Sequence, residues 1–173
     1  MKFCAAIDLG ASSGRVSIGS LEGSTLQIQE VHRFKHEAHA HSDGALRWEW
    51  ETIVEEVIRG LHKAQECGEI VSIGIDTWAV DYGLLDSNGN LIEHPYCYRD
   101  SRTDGFMKSI SDSLGAEWIY QRTGIQFIFF NTAYQLHAAR LTESLKNSQT
   151  FLLLPDLLNY HFSGVKSCDV TNA

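Results

Sequence analysis

This sequence has little proline, no long apolar run and no excess of basic residues. Only two of its 173 residues are proline and 43% are hydrophobic, which is typical of a globular chain rather than a disordered or fibrous one. No apolar run reaches the roughly 18 residues that a membrane helix needs. The formal net charge of −8 argues against a surface that binds nucleic acid by neutralising phosphates. We therefore expect no membrane segment and no nucleic-acid partner.

The sequence also has no C-x-x-C pair, and we expect no secretory leader. Its four cysteines, Cys4, Cys67, Cys97 and Cys168, are spread over the whole chain. Scattered thiols in a chain of this size are typical of reduced cysteines in a cytosolic protein, with a secreted fold held by two disulfides as the alternative. The apolar stretch before Asp8 is too short for a signal peptide. We therefore predict a cytoplasmic protein.

Hydrophobic periodicity predicts mainly strands before residue 90, interrupted by one helix. From Trp50 the apolar residues follow helical spacing up to Gly68, and the polar, histidine-rich stretch at 35–44 is expected to be a loop. The expected strands are 2–8, 15–20, 25–34, 70–75 and 80–85. A β-β-β-α-β order with a long crossover helix predicts an α/β domain on a mixed sheet. The length suits one compact domain.

The second half of the chain is predicted to be mainly helical. Gly115 and Gly124 separate and end helical stretches, and Asn131 is a good N-cap for a helix that continues to Leu145. The expected helices are about 103–114, 116–122, 132–145 and 155–162.

Residues 7–15, Ile-Asp-Leu-Gly-Ala-Ser-Ser-Gly-Arg, form the sharpest motif. A turn of small residues lets backbone N–H groups approach an anion, and serine hydroxyls add donors. Asp8 at the end of the preceding strand is placed to hold Mg²⁺ through water, and Arg15 adds a positive charge. The motif is not a Walker A loop, because G-x-x-x-x-G-K-[ST] is absent. The alternative is a tight hairpin with a capping aspartate.

Five motifs occur in an order that resembles one known family. They are DLGASSGRV at 8–16, SIGIDTW at 72–78, YRDSRT at 98–103, YQRTGIQF at 120–127 and LLPD at 153–156. Together they resemble the FGGY group of sugar kinases, and within it the kinases of L-rhamnulose. The resemblance implies a ribonuclease H-like domain of the actin/hexokinase ATPase type. It also implies transfer of the γ-phosphoryl group of ATP to the 1-hydroxyl of the sugar, with Mg²⁺.

The resemblance implies two sets of binding residues. Those expected to bind the ATP phosphates are Ala11, Ser12, Ser13, Gly14 and Arg15, with Asp8 at the metal. Those expected to contact the sugar are Asp76, Ala79, Asp81 and Arg99. Ala79 stands where the family pattern has glycine, so a kinase of L-fuculose or D-xylulose stays open. We expect Asp81 to lie on the same strand face as Ala79, within reach of sugar hydroxyls.

Each sugar-site residue also has a structural alternative. Asp76 and Asp81 could simply be solvent-exposed residues of a turn or an edge strand. Asp100 or Ser101 could cap the following helix, while nearby arginines pair with carboxylates. Four histidines, His32, His36, His39 and His41, lie too irregularly for a metal cluster, and a solvated loop is the preferred interpretation.

The resemblance further implies a longer, two-domain enzyme. The family takes the hydroxyl proton with an aspartate in a Ser-His-Asp motif, and no His-Asp dipeptide occurs here. We therefore expect residues 1–173 to be an N-terminal portion, without a catalytic base, whose partner is a C-terminal domain. The last residues, 170–173, resemble the start of a further family motif. The alternatives are a non-catalytic sugar- or nucleotide-binding module and an actin-like filament or ATPase subunit.

Overall fold

The structure is a computed structural model and describes residues 1–170, so most of the motif expected at 170–173 lies outside the described residues. The strands are β1 (Lys2–Leu9), β2 (Ser13–Glu22), β3 (Thr25–Lys35), β4 (Ala38–Ala40), β5 (Leu46–Trp48), β6 (Glu69–Thr77), β7 (Tyr82–Leu85) and β8 (Thr150–Leu153). The helices are α1 (Trp50–Cys67), α2 (Phe106–Leu114), α3 (Ala116–Thr123), α4 (Thr132–Ala139), α5 (Glu143–Asn147) and α6 (Leu154–Ser163), with a 3₁₀ turn at Ser101–Thr103.

The main sheet is mixed, as the sequence predicts, and has the strand order β3-β2-β1-β6. β1 and β2 form the expected antiparallel hairpin, β3 pairs antiparallel with β2, and β6 runs parallel to β1. Parallel neighbours need a crossover connection, and α1 lies within it. This arrangement confirms the predicted α/β domain.

One face of this sheet forms the core against α1. Ala5, Ile7 and Leu9 alternate with more exposed residues along β1 and are each at most 2% exposed. α1 approaches β2 closely at Gly60, where an added Cβ would lie 2.4 Å from a methyl carbon of Val16. Since every second residue of β1 and β2 points into this core, the residues between them are left on the opposite face.

Contacts divide the described chain into two compact units, although its length suits one domain. Unit 1 comprises Met1–His39, Trp48–Ala79 and the chain from Leu152 onwards, and unit 2 comprises Ala40–Arg47 and Val80–Phe151. Neither glycine nor proline stands at the points where the chain passes from one unit to the other. The division is therefore invisible to a search for linkers.

Several element boundaries in unit 2 differ from the predicted ones. α2 begins at Phe106 rather than near 103, because Gly105 adopts a positive φ of 80° after the 3₁₀ turn. The helix expected up to Leu145 ends at Ala139, since the Thr142 hydroxyl accepts a hydrogen bond from the Leu145 N–H and caps a new helix, α5. The short strands β4, β5 and β8 were not predicted.

No helix within residues 1–170 combines the length and the apolar character needed to cross a membrane.

Candidate functional site

The turn between β1 and β2 is short and closed by a backbone hydrogen bond. The Gly10 N–H donates to the Ser13 carbonyl at 2.9 Å, and strand pairing ends at Leu9 opposite Gly14. Ala11 and Ser12 therefore form the tip, and Ser12 is exposed. A tip of small residues on a rigid hairpin leaves backbone and hydroxyl groups accessible to an anion.

Four charged residues form a row across the sheet beside this turn. Arg33 of β3 is paired with Arg15 of β2, Arg15 with Asp8 of β1, and Asp8 with Asp76 of β6. Paired residues of neighbouring strands share a face, and here it is the face opposite the core. We call Arg33, Arg15, Asp8 and Asp76 the charged row. It places two cations beside two carboxylates.

Arg15 and Asp8 are joined directly within the charged row. The Arg15 Nε donates to Asp8 Oδ2 at 2.7 Å, and one of its terminal nitrogens lies against the same oxygen. The Asp8 side chain keeps 41% of its surface exposed. Next to Arg15, Arg33 binds Glu30, and this hydrogen bond is the main reason that the pKa of Glu30 lies below its ordinary value. Because Asp8 is open to solvent, it retains capacity for a further ligand.

Asp8 and Asp76 have the chemistry that suits Mg²⁺. Adjacent strands lie about 4.8 Å apart, so their carboxylates are neighbours on one open face. Mg²⁺ is usually held by one or two carboxylates, together with water and substrate phosphates. The sequence assigned Asp76 to sugar contact alone, and the strand register adds its proximity to Asp8. Within residues 1–170 no group of three or more histidine, cysteine or acidic side chains forms a complete metal site.

Gly14 has a packing role that corrects its predicted one. The sequence argument gave it the task of letting an anion approach the backbone. In the structure Gly14 is buried in β2, and an added Cβ would lie 2.3 Å from the Phe34 ring and 2.6 Å from a Leu9 methyl carbon. Gly10 differs, because a Cβ there would meet only the Ser13 carbonyl oxygen at 3.4 Å. Close packing of β1, β2 and β3 therefore requires glycine at 14.

The expected strand face shared by Ala79 and Asp81 does not exist. Ala79 is exposed and lies after β6, while β7 begins only at Tyr82. Val80 has a φ of 73°, which is a strained conformation for a β-branched residue and cannot continue a strand. Ala79 is therefore on an exposed bend, as a substrate contact would require, but Asp81 does not follow it along a common face.

Asp81 is buried and already hydrogen-bonded within unit 2, which corrects its expected availability to sugar hydroxyls. It is 1% exposed; Oδ2 accepts the Tyr98 N–H at 3.1 Å and Oδ1 accepts Gln135 Nε2 at 2.9 Å. The same Gln135 amide nitrogen also lies 3.3 Å from the Val80 carbonyl, and the Thr132 hydroxyl donates to that carbonyl at 2.9 Å. These bonds hold the strained Val80 in place.

Gln135 was missed by the sequence analysis, although it belongs to this network. It is 1% exposed on α4, and its Oε1 accepts Arg102 Nη2 at 2.7 Å. No sequence signal identified it, because a glutamine on a predicted amphipathic helix is ordinarily expected on the solvent side. Its partners Asp81 and Arg102 lie far away in the sequence, so the pattern alone could not name them.

The YRDSRT motif divides into a structural and an exposed part. Asp100 accepts hydrogen bonds from the Arg102 N–H at 2.9 Å and the Leu46 N–H at 2.6 Å, so it caps the 3₁₀ turn at Ser101–Thr103 rather than the helix α2 that follows. Arg102 lies 3.7 Å above the Tyr96 ring and bonds Gln135 rather than a carboxylate. Arg99 is exposed and stacks on Tyr98, so its predicted sugar contact stays a prediction.

The histidines do not form one solvated loop. His32 Nε2 lies 2.7 Å from Glu56 Oε2 and its Nδ1 lies 3.0 Å from Lys63 Nζ. His36 is only 7% exposed and its Nε2 lies 2.8 Å from the carbonyl oxygen of Gly10. The loop interpretation is wrong for these two residues, because His32 lies within β3 and bonds α1, and His36 follows β3 and bonds the β1–β2 turn.

The cysteines are free thiols throughout the described residues, which rules out the two-disulfide alternative. Cys97 is buried, and burial is the main cause that raises its pKa to about 11. A thiol with this pKa stays protonated near neutral pH and is a packing residue.

Comparison with known proteins identifies the family. The profile of the FGGY family of carbohydrate kinases, N-terminal domain, matches residues 3–173, almost the whole chain. The chain belongs to the FGGY family of carbohydrate kinases. Similar FGGY proteins are the rhamnulokinase of Mannheimia succiniciproducens, 45% identical over 98% of this chain, and that of Bacillus subtilis, 42% identical over 96%. The predicted resemblance is confirmed.

Solved structures confirm the predicted FGGY fold of the actin/hexokinase type. The ligand-bound xylulose kinase of Lactobacillus acidophilus superposes with a TM-score of 0.82 over 96% of this chain at 14% identity. The ADP-bound glycerol kinase of Plasmodium falciparum gives a TM-score of 0.78 over 99% at 17% identity. Both likenesses concern the fold. This chain spans 36% of the Mannheimia relative, 34% of the Bacillus relative and of the xylulose kinase, and 36% of the glycerol kinase.

Proposed function

We propose that the protein carrying this chain is an ATP-dependent carbohydrate kinase that converts L-rhamnulose to L-rhamnulose 1-phosphate. The observation that carries the proposal is the charged row beside the small-residue turn, since this arrangement suits a metal-bound polyphosphate. Identities of 42% and 45% to rhamnulokinases support L-rhamnulose as the sugar.

The hairpin end would bind the phosphates of ATP. The turn residues Ala11, Ser12 and Ser13 offer backbone N–H groups and hydroxyls, and Arg15 adds positive charge. Arg33 lies next to Arg15 and extends this positive charge across the sheet. Asp8 and Asp76 would hold Mg²⁺, which when bound neutralises phosphate charge. The row thus offers cations for the phosphates and carboxylates for the metal.

The sugar would lie against the exposed bend after β6. Ala79 and Asp76 are the exposed residues there that the family resemblance assigns to substrate. The resemblance also assigns Arg99, an exposed residue of unit 2, to the sugar. Asp81 contributes by holding its own segment in place rather than by touching the sugar. Because an alanine methyl stands where the family pattern has glycine, the bend is also the position that would select among ketoses.

The reaction is an in-line phosphoryl transfer. The 1-hydroxyl oxygen of the sugar forms a bond to the γ-phosphorus, and the bond from that phosphorus to the β–γ bridging oxygen breaks, so that ADP leaves. The hydroxyl proton passes to a general base. We propose that this base belongs to a C-terminal domain of the same protein, that residues 1–173 are the N-terminal portion, and that the protein works in the cytoplasm.

A coupled assay of ADP formation tests this function. The full-length polypeptide that carries this chain is expected to release ADP when L-rhamnulose is added with ATP and Mg²⁺, and to release less with L-fuculose or D-xylulose. Turnover with one of the other two ketoses alone would retain the kinase class and overturn the sugar assignment.

Calorimetry separates the kinase from a non-catalytic binding module. A kinase binds ADP and the sugar and also turns over ATP, whereas a module of the same fold binds one of them without sugar-dependent ADP release. Binding without turnover in the full-length polypeptide would therefore contradict the proposed function.

A further inference from the structure

His36 contacts the candidate phosphate-binding turn between β1 and β2 through both its backbone and its ring. It follows the last residue of β3, and its backbone N–H donates to the Ser12 carbonyl at 3.3 Å. Its ring Nε2 lies 2.8 Å from the Gly10 carbonyl oxygen, and the residue is only 7% exposed. Since a carbonyl can only accept, the Nε2 carries a proton and donates it. One residue thus binds the turn at both of these carbonyls.

The bond to Gly10 constrains the turn at the peptide that opens it. Strand pairing ends at Leu9 and Gly14, so Gly10 lies beyond the last paired residues. The carbonyl and N–H of one trans peptide lie in a common plane and point in opposite directions. Holding the Gly10 oxygen therefore fixes the plane of the Gly10–Ala11 peptide. The backbone groups that would meet a phosphate depend on the orientation of that plane.

The face of the His36 ring contacts the tryptophan that precedes Ala79. The His36 and Trp78 rings stack with centroids 5.2 Å apart and an angle of 26° between their planes. Trp48, which is fully buried, supports both rings from the core, at 5.5 Å from His36 and 4.5 Å from Trp78. A displacement of Trp78 would therefore change the packing of His36.

We propose that His36 is a positioning residue that couples the phosphate-binding turn to Trp78, so that sugar bound beside Ala79 strengthens the binding of ADP or ATP. This role rests on the proposed function and adds to it a route by which one substrate affects the other. The route runs from the sugar to Trp78, then to the His36 ring, and from its Nε2 to the Gly10 carbonyl. All of these residues belong to unit 1.

Two substitutions separate the two contacts of the ring. His36→Phe keeps an aromatic ring for Trp78 and removes the donor to Gly10. His36→Gln keeps a donor, since its amide nitrogen can occupy the position of Nε2, and removes the stacking. His39→Ala is the matched control, because His39 is an exposed histidine three residues further along. The measured quantity is the Kd of ADP in the full-length polypeptide, by calorimetry, with and without L-rhamnulose.

The wild type is expected to bind ADP more tightly when sugar is present. His36→Phe should weaken ADP binding about threefold to tenfold, which corresponds to the loss of one hydrogen bond. Without sugar, His36→Gln should bind ADP within about twofold of the wild type. With sugar present, its Kd for ADP should be about twofold to tenfold higher than that of the wild type, because the stacking that transmits the effect of sugar is missing. His39→Ala should match the wild type in both measurements.

Equal ADP affinity and equal sugar effect in the wild type and both His36 variants would overturn the proposal. So would a wild type that is active but whose ADP affinity does not respond to sugar. If the wild type binds no nucleotide, the proposed function fails by itself. Amide hydrogen exchange at Ala11, Ser12 and Ser13 then tests the positioning role alone: exchange at least about threefold faster in His36→Phe supports it, and unchanged exchange overturns it.

Discussion

Asp8 and Asp81 are aspartates that the sequence assigns to ligands, and the structure gives them opposite surroundings. Asp8 pairs with Arg15 on an open face of the sheet and keeps 41% of its side chain exposed. Asp81 is 1% exposed, and both of its oxygens accept hydrogen bonds from protein donors. A carboxylate whose oxygens are bound and buried has no capacity for a ligand, whereas an exposed one retains it. Asp8 should therefore affect activity and Asp81 stability.

The largest expected effect is the loss of activity on replacing Asp8. Asp8→Asn removes the negative charge that is proposed to hold Mg²⁺, so kcat/KM should fall about 100-fold to 1,000-fold in the coupled assay. The free energy of unfolding should fall by less than about 1 kcal/mol, because the ion pair with Arg15 is exposed. Asp112→Asn is the control, since Asp112 is an exposed aspartate paired with Lys108. Full activity in Asp8→Asn would contradict its assignment.

The second effect is the loss of stability on replacing Asp81. Asp81→Ala removes the acceptor of the Tyr98 N–H and one of several acceptors of the Gln135 amide, so the free energy of unfolding should fall by about 1–3 kcal/mol. Urea unfolding of the full-length polypeptide measures it, and kcat/KM at low temperature should stay within about threefold. Unchanged stability combined with lost activity would restore Asp81 as a substrate residue.

Gly14 and Gly10, at the two ends of the turn, also differ in their surroundings, since Gly14 is closely packed and Gly10 is not. Gly14→Ala introduces a Cβ against Phe34 and Leu9 and should lower the free energy of unfolding by about 1–3 kcal/mol. Gly10→Ala should change it by less than about 0.5 kcal/mol, because the new Cβ makes only an ordinary contact with Ser13. Thermal unfolding of both variants measures the difference. A stable Gly14→Ala with a raised KM for ATP would instead favour the anion-approach role.

The smallest effect concerns the pH dependence of stability through Cys97. Burial raises the pKa of this thiol from 9.0 to about 11, and the charge of Asp81 also raises it. The neutral thiol is favoured in the folded state, so its contribution is complete below pH 9 and is lost as the pH rises through 11. At pH 10 the free energy of unfolding should be about 1 kcal/mol lower than below pH 9 because of this thiol.

Urea unfolding of the wild type and Cys97→Ala at pH 8 and pH 10 tests this contribution. The wild type should lose more stability between the two pH values than the variant does. Equal losses in the two proteins would show that Cys97 ionises alike in the folded and unfolded states.

Local patterns were enough to predict the hairpin but not the surroundings of the sugar-site residues. Alternating apolar residues and a small-residue turn predict β1 and β2, because strand periodicity and turn chemistry act over a few residues. The burial of Asp81 depends on Gln135, which lies 54 positions away. The proximity of Asp76 to Asp8 depends on the parallel register of β6 with β1. Contacts between distant parts of the chain leave no periodic signal.

The histidines show the same limit. The irregular spacing of His32 and His36 gave no sign that both rings turn toward the protein, because their partners lie on α1 and in the β1–β2 turn. The helix expected to reach Leu145 ended early for a local reason instead. Thr142 is a good N-cap, and its capping signal was hidden by an apparently continuous apolar stripe.

The most direct test of the proposed function is ³¹P NMR of a reaction mixture that contains the full-length polypeptide, ATP, Mg²⁺ and L-rhamnulose. The proposal predicts that a sugar phosphate monoester appears in step with ADP, with the phosphorus coupled to the protons on carbon 1. Unchanged ATP, or ADP accompanied only by inorganic phosphate, would contradict it.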